Sequence, residues 1–292
     1  MPGKILIIGA DSEIAGAATQ HLAAHGHKVV ATTRRPERVA AHRPFLDLTQ
    51  QVEAWPIPDD ITTACLCAAI ARLADCARDP EASARVNVSG TIALADRLLA
   101  HGIPVLFLST DKVFDGSRPN VPADAPPCPL SEYGRQKATA ETALRERMAT
   151  GAPVAILRLA KVVSPGMDLL RQWLASLAAG KPIRAFHDMH MAPTPVALVA
   201  AAIESLLAGP VSGIFQLTGP RDVAYSEVAQ HLARALGADQ ALIEMVSAIA
   251  SGQPEGSTAR HTTLDSSALR KHFGIAVPEA SSVIDALIET CR

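Results

Sequence analysis

Tyr133 and Lys137, one helical turn apart, are the side chains in this sequence best suited to moving a proton. At i and i+4 of a helix they face the same way. A free phenol titrates near 10, too high for acid–base work at neutral pH, and a neighbouring ammonium favours the phenolate and lowers that value. Thr110 ends the stretch begun by the apolar run from Ile103 to Leu108. A hydroxyl at the C-terminal end of a strand can donate to a carbonyl oxygen as negative charge develops on it. A bare Tyr-x-x-x-Lys is a weak motif; here it gains weight from the Ser109–Thr110 strand end and the proline-rich loop that precede it.

A second constellation lies at the N-terminus. The strand Lys4 to Ile8 runs into Gly9-Ala10-Asp11-Ser12-Glu13-Ile14-Ala15-Gly16. A strand, a glycine turn and a helix start present free N–H groups and the positive helix end to a pyrophosphate. Only Gly9 falls in register with the pattern G-x-x-G-x-x-G, since Ser12 and Ala15 occupy the other two places. Alanine preserves helix-on-strand packing, whereas Ser12 puts a β-carbon where backbone should approach phosphate and offers a hydroxyl instead. Arg34 and Arg35 follow the second strand, where a dinucleotide fold reads the ribose 2′ position. Arginine there suits a 2′-phosphate, so NADPH is expected ahead of NADH. Asp47–Leu48 ends the next short strand, either at the adenine edge or as a plain turn.

The elements that must hold these groups alternate. Strands are expected at Lys4–Ile8, His27–Thr32, Thr63–Ala68, Pro104–Ser109 and Pro153–Leu159, and helices at Ser12–His25, Glu81–His101 and Tyr133–Met148. Continuous apolar strands alternating with helices predict a doubly wound parallel sheet of Rossmann type. The proline-rich segment 117–132 must be a loop at the C-terminal edge of that sheet. Beyond Pro165, helices are expected at Leu169–Ala179, Ser226–Leu236 and Pro278–Cys291, with a loop at His187–Pro195. The predicted organisation is a dinucleotide-binding domain over 1–160, taking in part of 190–220, and a smaller substrate-binding lobe over 161–292.

Composition narrows the partners. With 292 residues, 48% hydrophobic, and a net charge of −2, the chain can bury a large core and carries no signature of nucleic-acid or membrane binding. The first apolar run is too short for a signal peptide or a spanning helix. Cys65, Cys67, Cys76, Cys128 and Cys291 form no disulfide framework, which points to a reduced, cytoplasmic protein. His21, His25 and His27 read as polar-face residues near a helix end, and no metal is expected. Trp173 and Met167 read as lobe packing or the face of a homodimer.

The block Ser109 to Gly116, with Tyr133-Gly-Arg-Gln-Lys137, resembles the extended short-chain dehydrogenase/reductases, and among them the dTDP-4-dehydrorhamnose reductase family of sugar-nucleotide enzymes. Lys112 stands where that family has a tyrosine. Asn87-Val88-x-Gly90-Thr91, the loop Asp188 to Thr194 and the segment Arg260 to Asp265 are similar to further family blocks. The resemblance implies reduction of a nucleotide-activated 4-keto-6-deoxy sugar by NADPH, with Thr110 orienting the carbonyl, Tyr133 protonating it and Lys137 serving both tyrosine and ribose. It implies cofactor contacts at Gly9, Asp11, Ser12, Glu13, Ile14, Arg34, Asp47, Leu48, Ala68, Ala69, Asn87 and Lys137. Substrate contacts are implied at Ser109, Asp111, Lys112, Val113, Phe114 and His190. Two rivals stay open. Ser-Thr-Asp-Lys is also similar to the block of nucleotide-sugar 4,6-dehydratases or epimerases, with Asp111 and Lys112 as acid and base. The regulatory subunit of methionine adenosyltransferase resembles this group too, so a non-catalytic regulatory subunit is the third reading.

Overall fold

The computed structural model describes residues 3–50, 52–209, 211–254 and 256–291, the Cys291 side chain excepted. Strands β1 (Lys4–Ile8), β2 (Lys28–Ala31), β3 (Ile61–Leu66), β4 (Val105–Thr110) and β5 (Val154–Leu159) fall within two residues of their predicted bounds. With a sixth strand from late in the chain they form one sheet. Every neighbouring pair in it is parallel. Side chains on a strand alternate between faces. Ile5 and Ile7 thus enter one core with helix α1 (Glu13–Ala24), while Leu6 and Ile8 enter the other. Each fully buried Leu or Ile contributes roughly 1.5–3 kcal/mol, which locks the sheet register.

The short strand expected before Asp47 is reduced to one parallel bridge, Thr33 to Phe45. Backbone bonds from Ala31, Thr33 and Leu46 nonetheless hold segment 42–46 beside β2. Two short helices, α2 (Leu73–Arg78) and α3 (Pro80–Ala84), follow β3. The single helix predicted over Glu81–His101 is instead α3, a π-helical turn at Arg85–Gly90 and α4 (Thr91–Ala100). The π turn brings Gly90 so close to Leu48 that a β-carbon there would fall 2.1 Å from the Leu48 carbonyl oxygen. Helix α5 (Glu132–Ala149) carries Tyr133 and Lys137 and packs with α4 on the second face.

After β5 come β6 (Val162–Val163), α6 (Asp168–Ala178), β7 (Ile183–Phe186), β8 (His190–Met191) and β9 (Thr194–Pro195). The expected His187–Pro195 loop thus contains two short pairings, β8 with β11 (Val223–Ala224) and β9 with β6. Helix α7 (Val196–Leu207) lies on α1 and fills the first core, and β10 (Gly213–Leu217) is the sixth sheet strand, beside β5. A separate core joins α6, α8 (Tyr225–Leu236) and α10 (Ala280–Cys291), with Ile183 and Ala185 of β7, which pairs with β12 (Ile243–Val246). Trp173 is buried in this core, edge-on to Tyr225, so it packs the lobe. Leu269 of α9 (Ser267–Phe273) and Ile275 return to the first core. Among the described residues, no helix is long and apolar enough to cross a membrane.

Candidate active site

Gly9 leaves β1 at φ +83°, a left-handed conformation, and a β-carbon on it would fall 2.8 Å from Ala68. Only glycine fits there, and the turn brings bare backbone to the mouth of a groove. That groove is lined by Gly9, Asp11, Ser12, Arg34, Asp47, Leu48, Ala68 and Ala69, all expected from the sequence, and also by Arg35, Ile70 and Val86. No side chain caps the start of α1, so its first N–H groups remain available to an anion. The Ser12 hydroxyl donates to the Gly9 carbonyl at 3.0 Å and closes the turn, where a phosphate donor was expected. Glu13 and Ile14 present their backbone N–H groups at this helix start. The Glu13 carboxylate accepts from Ser164, and the Ile14 side chain packs on the core.

Asp11 ties the turn to the end of β2. It accepts from Thr33 Oγ1 at 2.7 Å, from the Arg34 N–H at 3.1 Å, from Arg43 at 2.9 Å and from Arg38 at 3.3 Å. Burial alone would raise its pKa, but the bonds from Thr33, Arg34 and Arg43 outweigh it and hold the carboxyl below its usual range. Arg34, Arg35, Arg38 and Arg43 thus gather at one corner of the groove. Asp47 lines the groove and also forms a turn, accepting from the Thr49 N–H and hydroxyl.

Asn87 does not face the groove. Its amide accepts from Ile70 N–H at 2.8 Å and donates to Ile70 O at 2.9 Å and to Gln136 at 2.8 Å. It is 1% exposed. With its amide spent inside the protein, it positions the Ala68–Ile70 wall rather than a ligand.

The second half of the site stands at the C-terminal end of β4. Thr110 accepts from the Lys112 N–H at 3.2 Å and donates to Asp111 Oδ1 at 3.0 Å. The Lys112 ammonium is 3.2 Å from the other Asp111 oxygen, so it is an ion-pair partner. The Ser109 hydroxyl is buried with no hydrogen-bond partner among the described residues, and so is His190 Nδ1. Val113 and Phe114 do not contact the cleft as expected. They are buried with Val121, Ala125, Ala138 and Leu264, and Phe114 lies 4.9 Å under the Arg158 guanidinium. Both are apolar and pack the loop onto α5.

Helix α5 reaches this strand end because Gly134 follows Tyr133. A β-carbon on Gly134 would fall 2.1 Å from the Lys112 carbonyl oxygen. Ser131 caps the helix by accepting from the Gly134 N–H at 3.1 Å. Burial first, then the negative charges of Asp111 and Cys76, push the half-buried Tyr133 phenol well above its ordinary value. This reverses the expected acidification, because the Lys137 ammonium is engaged elsewhere: it donates to the Leu108 carbonyl at 2.5 Å and sits 3.8 Å over the Phe107 ring. Burial brings Lys137 itself down to about 7, with Glu141 opposing the fall.

Sequence reasoning overlooked two groups. Tyr225, at the start of α8, is pushed up to about 12 by burial and by the Asp111 charge, which also acts on Tyr133. Lys161 lies two residues beyond Leu159, which pairs in register with Thr110, and it feels the charges of Glu13 and Lys112. Only the strand register could have placed Lys161 beside Lys112.

A parallel sheet feeding a glycine turn, an arginine-lined groove, and a Thr–Tyr–Lys set at the same sheet edge define a Rossmann-type α/β protein with a site at the strand ends. The chain belongs to the RmlD substrate binding domain family, whose model matches residues 3–292. It is 29% identical over 291 residues to a probable low-salt glycan biosynthesis reductase, Agl14, of Haloferax volcanii, covering 96% of each chain. It is 28% identical to a dTDP-4-keto-6-deoxy-D-glucose reductase of Streptomyces niveus, covering 85% of this chain and 89% of that one. The fold is also that of a dTDP-4-dehydrorhamnose reductase from Bacillus anthracis, solved in complex with NADP, with a TM-score of 0.83, 17% identity and 99% of both chains covered.

Proposed function

We propose that this protein is an NADPH-dependent reductase of a nucleotide-activated 4-keto-6-deoxy sugar. The observation that carries this reading is the Thr110–Asp111 pair at the end of β4, with the start of α5 and its Tyr133 packed against Lys112, on the same sheet edge as the Gly9 groove. The names of the relatives, a keto-deoxysugar reductase and a glycan-pathway reductase, support it. When bound, NADPH would supply the hydride to the ketone carbon. The pyrophosphate fits the free N–H groups at the start of α1, and a 2′-phosphate fits Arg34 and Arg35. The orphan Ser109 hydroxyl marks a polar contact for a ligand at the strand end.

The chain's own residues then manage one oxygen and one proton. Thr110 turns its hydroxyl from Asp111 to the ketone oxygen. Tyr133, held protonated at neutral pH by burial and Asp111, gives its proton to that oxygen as charge builds there. The phenolate left behind is stabilised by Lys137, one turn along α5, once the ammonium leaves the Leu108 carbonyl. The lobe built on α6, α8 and α10 covers the sugar nucleotide, bringing Tyr225 and His190 to the cleft.

The Asp111–Lys112 pair supports a second reading, elimination of water by a 4,6-dehydratase. One assay separates the two. Protein, NADPH and a panel of nucleotide-linked 4-keto-6-deoxy sugars are mixed, and the nicotinamide absorbance is followed. Its loss with a keto sugar supports reduction. A keto sugar formed from an unmodified nucleotide sugar without net cofactor consumption refutes reduction in favour of dehydration. Binding of NADPH with no turnover of any sugar refutes both.

A further inference from the structure

Three histidines that looked like solvated polar-face residues converge on one carboxylate. His21 Nε2 and His25 Nδ1 each lie 2.8 Å from Glu204 Oε2, and His27 Nε2 lies 2.8 Å from Glu204 Oε1. His21, in the last turn of α1, and His25, its C-cap, are one turn apart. His27 joins them because Gly26, at φ +82°, turns the chain back beside the helix end, with the His27 N–H bonded to the Leu22 carbonyl. Glu204 comes from α7, which packs against α1 on the first sheet face. The ligand atoms of His21, His25 and Glu204 all lie within 4.8 Å of one another.

We infer that this cluster is a structural site for a borderline divalent cation of the zinc class, bound by His21, His25 and Glu204 with solvent completing the shell, while His27 stays on the second carboxylate oxygen. Imidazole nitrogens with an acidic oxygen are the donor set that Zn²⁺, Co²⁺ or Ni²⁺ prefers. Tetrahedral Zn²⁺ with bonds of about 2.0–2.1 Å sets its ligands about 3.3 Å apart, so His21 and His25, each 2.8 Å from Glu204 Oε2, need to open from it by only about half an ångström. In the hydrogen-bonded form each histidine presents an N–H to Glu204. Binding the cation requires only that the proton move to the other ring nitrogen, leaving a lone pair directed at the metal. The three rings and Glu204 keep 23–51% side-chain exposure, so a cation can enter from solvent.

The site sits at the far end of α1 from the glycine turn, about 18 Å along a helix of this length. It therefore touches no reacting atom. It would staple α1 to α7, the two helices that cover one face of the sheet and hold the turn in place.

The test uses tag-free protein stripped of metal and titrated with Zn²⁺, and in parallel with Co²⁺ followed by its visible absorption. The expected result is one Zn²⁺ per chain, a higher melting temperature with Zn²⁺, and intense Co²⁺ bands of low-coordinate geometry. His25→Ala and Glu204→Gln should each weaken Zn²⁺ binding at least tenfold and remove the thermal shift. X-ray absorption on the Zn²⁺-loaded wild type should show two imidazole ligands even if a variant fails to fold. Absence of stoichiometric binding, or binding unchanged in both folded variants, overturns the proposal.

Discussion

Replacing Lys137 with Met tests the buried ammonium that the site depends on. The lysine is 2% exposed, bonded to the Leu108 carbonyl and set over Phe107. Burial lowers its pKa from 10.5 to about 7. At about 1.4 kcal/mol per pKa unit, holding the charge inside the fold costs roughly 5 kcal/mol. The unfolded chain keeps this proton up to pH 10.5 and the folded chain only to about 7, so between those values the unfolded state binds more protons. Stability then rises with pH across that window; the cost is fully present below pH 7 and gone above 10.5. From pH 7 to 9 the gain works out at about 2 kcal/mol. Urea unfolding of wild type and Lys137→Met at both pH values measures it, because the variant lacks this proton and all other titrations cancel in the difference. Wild type should gain about 2 kcal/mol over the variant. Parallel changes in the two proteins would refute the claim that Lys137 is destabilised as an ammonium.

Glu141→Gln should cost about 3–5 kcal/mol in urea unfolding. It strips Arg158, 0% exposed, of the carboxylate it grips at 3.0 and 2.6 Å and leaves a buried charge unpaired. Arg34→Ala should raise the KM for NADPH by roughly tenfold to a hundredfold and leave that for NADH nearly unchanged, the loss expected for a hydrogen-bonded charge pair. Equal losses with both cofactors would place the 2′-phosphate elsewhere.

The sheet was legible because parallel strands buried on both faces are continuous apolar runs, and all five early strands stand where those runs lie. Helix α7 was not, because Val196–Leu207 is apolar nearly all round and shows no helical stripe. The π turn was equally hidden, since nothing in Arg85–Gly90 announces that Gly90 must touch Leu48. In the site, Gly9 and Arg34 followed from turn chemistry and a strand end, while Asp11 and the Ala68–Ala69 wall came only with the family resemblance. The spacing of Tyr133 and Lys137 placed them on one face but could not say that Lys137 would turn to the Leu108 carbonyl. Val113 and Phe114 were read as substrate contacts because a motif carries no burial information; Arg38, Arg43 and Tyr225 reach their places only through tertiary folding.

The account turns on the Tyr133 phenol as the proton donor to the ketone oxygen. Single-turnover reduction of a nucleotide-linked 4-keto-6-deoxy sugar by Tyr133→Phe, with NADPH affinity measured separately, tests it most directly. The variant should bind NADPH like the wild type and reduce the sugar about 10²–10⁴-fold more slowly. Undiminished reduction by Tyr133→Phe would contradict it.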